Sequence, residues 1–123
     1  MKKLKKIDGF CVPLTLKYVS GLSDKKILDV CEKNGFKQKW GMEESEVTKS
    51  ASELNIRYRR INLKRDGLYN ETLEKFIKNN PSGVFMIGTL GHLFAVHDGE
   101  VIDPINANYP GLKRLVVWAW KVF

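Results

Sequence analysis

Two cysteines, two histidines, four prolines and a single glutamine occur in this chain of 123 residues, and each shortage excludes something. Cys11 and Cys31 are too few for a disulfide-built scaffold, and a chain of this size buries enough surface to fold without one, so a reducing compartment is expected. They cannot form a Cys-x-x-Cys metal motif. His92 and His97 lie on one predicted strand at an odd spacing, which sends their side chains to opposite faces, so neither a structural metal nor a cofactor is expected. No apolar run approaches the roughly 20 residues needed to cross a bilayer, because charges interrupt every stretch, including 115–123. The start Met1-Lys2-Lys3-Leu4-Lys5-Lys6 imitates the basic part of a signal peptide. Asp8 and Gly9 then stand where its apolar core should begin, and no export signal is read.

What is present suits one compact domain over 1–123. The chain is 43% hydrophobic and 28% charged, too apolar for a disordered tail and too mixed for a coiled coil. Lysine and arginine number 21 against 14 acidic residues, a net charge of +7 that favours anionic partners at low salt. The cations cluster: seven lysines fall within residues 1–26, and Arg57, Arg59, Arg60, Lys64 and Arg65 form a second group. The plain interpretation is a solvated lysine-rich surface. The sharper one is contact with nucleic acid or another anionic surface through this basic face. No zinc-finger spacing, RRM-type aromatic signature or helix-turn-helix accompanies it.

Local signals divide the chain in two. The first ten residues read as an irregular lead-in. A short helix is predicted over 11–19, and because proline is tolerated only in a first turn, Pro13 puts Cys11 at its N-terminus. Ser23 is a good N-cap for a second helix over 24–34, closed by Gly35, with Cys31 on its apolar stripe. A third helix is predicted over 43–54 and a basic-faced strand over 56–63. A short helix over 71–79 follows, stopped by Asn80-Pro81. From Gly83 onward the pattern is strand: 84–87, 93–96, an Asp98-Gly99 turn, 101–102, and a last run at 115–123. Trp118 and Trp120 share a face there and read as core or rim. Helices followed by strands indicate an α+β fold, N-terminal helices packed on a C-terminal antiparallel sheet.

Three of these residues make a chemical pattern. If Asp98-Gly99 is the hairpin turn, His97 pairs with Glu100, Val96 with Val101, Ala95 with Ile102 and Phe94 with Asp103. Asp103 is then the diagonal neighbour of His92 on one face, about 7–8 Å away along the backbone and within reach of its imidazole. His97 lies on the other face beside the turn, as a solvated histidine. A helix N-terminus favours a thiolate, because unpaired N–H groups and the helix dipole stabilise negative charge, and Cys11 occupies such a position. A thiol, a histidine to share its proton and a carboxylate to orient that histidine are the parts of a cysteine nucleophile enzyme.

The pieces Gly9-Phe10-Cys11-Val12-Pro13-Leu14, Gly91-His92-Leu93-Phe94-Ala95-Val96 and Asp98-Gly99-Glu100-Val101-Ile102-Asp103-Pro104 resemble the papain-like cysteine peptidase superfamily. They look closest to small phage or bacterial members related to the bacteriocin-processing (double-glycine) peptidases. The resemblance implies a papain-like fold, with Cys11 as nucleophile, His92 as general base and Asp103 as orienting acid, acting through a thioester on a peptide or other amide substrate. The sequence departs from that pattern at one place. Relatives carry a glutamine about six residues before the cysteine to complete the oxyanion hole, whereas Lys5 stands here; Lys5, Lys6 and Asn106 are substitutes between which the sequence does not choose, and Gln38 is far along the chain. Two alternatives therefore stay open. One is a catalytically degenerate domain used as a binding or structural component, for example in a phage virion. The other is a basic nucleic-acid-associated protein. A cytoplasmic or virion-associated location fits all three.

Overall fold

The computed structural model describes residues 11–36, 43–63, 65–66, 69–89, 92–102 and 112–123. Its first helix, α1 (Cys11–Ser20), carries Pro13 in the first turn, where a missing N–H costs nothing. In α2 (Asp24–Lys33) the first turn is held by the Ser23 hydroxyl, which accepts from the Lys26 N–H at 3.3 Å. Gly35, at φ 103°, then lets the Phe36 N–H turn back to the Cys31 carbonyl at 2.9 Å. The third helix, α3 (Glu44–Glu53), starts with the Glu46 carboxylate accepting from the Glu43 N–H at 2.9 Å.

The strand expected over 56–63 is reduced to β1 (Tyr58–Arg60). The cause lies at the end of α3. Asn55 adopts a left-handed conformation, φ 60°, and the Ile56 N–H returns to the Ala51 carbonyl at 2.9 Å, so Ile56 closes the helix instead of opening the strand. A two-stranded ribbon follows, β2 (Arg65–Asp66) with β3 (Tyr69–Asn70). Next comes α4 (Leu73–Asn79), capped by Thr72, whose hydroxyl accepts from the Lys75 N–H at 3.3 Å.

The main sheet contains β4 (Val84–Thr89), β5 (His92–His97), β6 (Glu100–Ile102), β7 (Trp118–Val122) and β1, in the order β1-β7-β4-β5-β6 with every pair antiparallel. The last strand starts later than 115, because Leu115 bridges to Thr72 and the Val116 N–H bonds the Glu71 carbonyl. Asp98 (φ 50°) and Gly99 (φ 81°) form the tight β5–β6 turn, and His97↔Glu100, Val96↔Val101 and Ala95↔Ile102 pair in the predicted register.

Both sheet faces are covered. Met86, Leu93 and Trp120 point into a core shared with Leu16 of α1, Ile27 and Cys31 of α2, and Val47 and Ala51 of α3. Phe85, Ile87, Phe94, Val96 and Ala119 meet Leu73 and Phe76 of α4 on the other face, with the Phe76 and Phe85 rings edge to face at 5.3 Å. The fold is α+β, but the helices are not all N-terminal and not all on one side. Cys31 and Trp120 are core, and Trp118 is half-buried against the same cluster. No described helix is long and apolar enough to cross a membrane.

Candidate active site

Cys11 is the first residue of α1, and His92 is the first residue of β5, the strand on which α1 packs. The junction between them follows from the ladder. The Asp98 N–H bonds the Gly83 carbonyl at 2.9 Å, which sets the alternation along β4 and β5 and leaves the N–H and C=O of Leu93 pointing away from β4. Two residues one helical turn apart on α1 take up these groups. The Leu93 N–H bonds the Cys11 sulfur. The fully buried Thr15 hydroxyl donates to the Leu93 carbonyl at 3.2 Å. The start of α1 is thereby fixed against the start of β5, the registration that brings thiol and imidazole together.

The Cys11 thiol is half-buried, and burial alone would push its pKa up. A hydrogen bond from the His92 side chain, the Leu93 N–H, the positive charge that His92 can carry and the Val12 N–H together outweigh burial, and the net shift is downward from the ordinary thiol value. Cys31 is the contrast. Burial in the helical core pushes its thiol up to about 12, so it stays protonated and inert. Both cysteines are free thiols.

The imidazole of His92 stacks on Phe94, two residues along the same face, with ring centroids 5.7 Å apart and planes 24° from parallel. Directly across the ladder from His92 stands Thr89, buried, with a hydroxyl that has no hydrogen-bond partner among the described residues. Thr15 and Thr89 carry no sequence signal that sets them apart from other core threonines. Only the helix-to-strand registration reveals them.

Of the three residues singled out from the sequence, Cys11 and His92 are brought together. Asp103 lies outside the described residues, as do Lys5, Lys6, Gln38 and Asn106; the observed β5–β6 register reaches Ile102, one residue short of Asp103. His97 sits at the far end of β5, exposed, where the Tyr18 hydroxyl meets its Nδ1 at 3.0 Å. No group of three or more metal-ligating side chains occurs among the described residues.

No family model, curated protein or solved structure matches this chain.

Proposed function

We propose that the protein is a small cysteine hydrolase of papain-like type, cleaving a peptide or other amide bond. The observation that carries this reading is the contact between Cys11 and His92, in which a half-buried thiol has its pKa lowered by an imidazole and two backbone N–H groups. In the proposed reaction the Cys11 thiolate attacks the carbonyl carbon, and the oxyanion forms beside the first N–H groups of α1, which have no partner within the helix. His92, holding the thiol proton, passes it to the leaving amine as the C–N bond breaks and a thioester remains on Cys11. Water then attacks the thioester, His92 takes its proton, and the acid departs as the thiol is restored. Asp103 is assigned the orienting role on the imidazole, from its diagonal position in the predicted hairpin.

The test is turnover of fluorogenic peptide amides and of cell-wall amide fragments by wild type and variants. Cys11→Ala should abolish hydrolysis with little change in stability. His92→Ala should be nearly as severe, and Asp103→Ala milder, because it removes orientation and leaves the base. Cys11→Ala with full activity, or a loss of several kcal/mol of stability in that variant, would contradict the assignment. One sequence feature favours a second reading: Lys5 stands where the peptidases this chain resembles carry glutamine, and if neither it, Lys6 nor Asn106 supplies the second oxyanion donor, the loss is worth on the order of 100–1,000-fold in rate and the domain would serve as a binding or structural component.

A further inference from the structure

The basic cluster Arg57, Arg59 and Arg60 is one group in the sequence but two in the structure. In the β1–β7 ladder Tyr58 pairs with Val122, Arg59 with Lys121 and Arg60 with Trp120. Arg60 therefore points to the helical side, where its guanidinium meets the Glu44 carboxylate at 3.0 Å. Arg59 and Lys121 share the opposite face. The Phe123 N–H bonds the Arg57 carbonyl at 2.9 Å, which continues the register by one step and puts Arg57 and Phe123 on that face as well. The Arg59 guanidinium lies 5.6 Å and the Lys121 ammonium 5.7 Å from the centre of the Phe123 ring, which is 66% exposed. Among the described residues no carboxylate is in ion-pair contact with Arg57, Arg59 or Lys121.

We infer that this face of the β1–β7 edge binds single-stranded nucleic acid. Two cations over one exposed aromatic ring, with Arg57 next to them in the register, supply both parts such a ligand needs: positive charge for successive phosphates, and π surfaces, the ring and the guanidinium plane, for a base. Arg59 on β1 and Arg57, one residue before the strand and in register with it, are separated by about 6.7 Å at strand spacing, a step that an extended phosphate backbone can follow. A duplex would find no helix here to enter its groove. An acidic peptide added to the edge would find only three residues of strand to pair with. The patch lies at the end of the sheet where Val84 pairs with Val122 and His97, opposite the end that carries His92. It is independent of the Cys11 site.

The experiment is fluorescence anisotropy of labelled oligothymidylate, with Cys11→Ala as the parent protein so that hydrolysis plays no part. The patch variant combines Arg57→Gln, Arg59→Gln and Lys121→Gln. A charge-matched control combines Lys25→Gln, Lys26→Gln and Lys113→Gln at other surface positions. The patch variant should lose at least about tenfold in affinity and lower the salt slope by about 2, at roughly 0.7 per phosphate contact, with the control close to the parent. Phe123→Ala should weaken oligothymidylate by roughly fivefold or more and leave duplex binding unchanged. Absence of binding by the parent, equal losses in both triple variants, duplex bound as tightly as single strand, or displacement of the oligonucleotide by polyglutamate at equal charge would each overturn the inference. All of these results leave the Cys11 reading as it stands.

Discussion

Replacing Thr15 by valine tests whether the α1–β5 junction is held as described. The two side chains have nearly the same shape, so the core loses no volume, but valine cannot donate to the Leu93 carbonyl. That carbonyl points away from β4 into a junction where Thr15 is fully buried, and an acceptor left there without a partner costs about 1–3 kcal/mol. For a domain of this length the cost corresponds to a fall in Tm of roughly 3–12 °C. Thr15→Ser is the matched comparison, since it keeps the donor and deletes one methyl group, worth about 1 kcal/mol. Thermal unfolding followed by far-UV circular dichroism on the three proteins gives the ordering. Thr15→Val should be the least stable. It should also slow alkylation of Cys11, because the bond that fixes Leu93 also aims the Leu93 N–H at the sulfur. A Thr15→Val protein as stable as wild type, or more stable than Thr15→Ser, would show that the hydroxyl is a passenger in an apolar contact and does not hold the junction.

Other outcomes follow from the same structure. Gly88→Ala would place a Cβ against the ring of Trp118, its partner across the β4–β7 ladder, and should destabilise by about 1–3 kcal/mol, with Trp118→Leu restoring part of the loss in a double-mutant cycle. Cys31 supplies a pH dependence: its folded value, about 12, lies above the ordinary 9.0, so the stability contributed by the neutral buried thiol is fully present below pH 9 and declines above it. Urea unfolding of wild type and Cys31→Ala should show their difference constant below pH 9 and then moving against wild type by roughly 1.4 kcal/mol per pH unit; a flat difference throughout would mean that the thiol ionises freely in the fold. Phe76→Ala, which empties the contact between α4 and Phe85, should cost about 3–5 kcal/mol in the same assay, and a loss under about 1 kcal/mol would show that α4 does not anchor that face.

The parts of this fold legible in the sequence are those governed by a local rule. Pro13 locates the start of α1 and therefore Cys11, Ser23 and Gly35 bracket α2, and Asp98-Gly99 sets the β5–β6 register. What the sequence conceals depends on balances between groups that folding brings together. The left-handed turn at Asn55 gives Ile56 to α3, against the strand preference of the residues around it. The direction of the Cys11 shift is a contest between burial and four favourable contacts, three of which involve residues about 80 positions away or the imidazole they carry. The division of Arg59 from Arg60 needs the partner strand β7, which is contributed by the end of the chain. The strand alternation of His92 and His97 was visible, but not that a tyrosine of α1 reaches His97 while the other end of the same helix reaches His92.

Whether Cys11 and His92 form an activated pair is decided by the rate of alkylation of Cys11 by iodoacetamide as a function of pH. It is read by mass spectrometry in the Cys31→Ala background, with and without His92→Ala. The labelling midpoint should lie below the ordinary thiol value and move up toward or beyond that value when His92 is removed, because burial is then less opposed. An ordinary or higher midpoint in the presence of His92, or one that does not move in His92→Ala, would contradict such a pair.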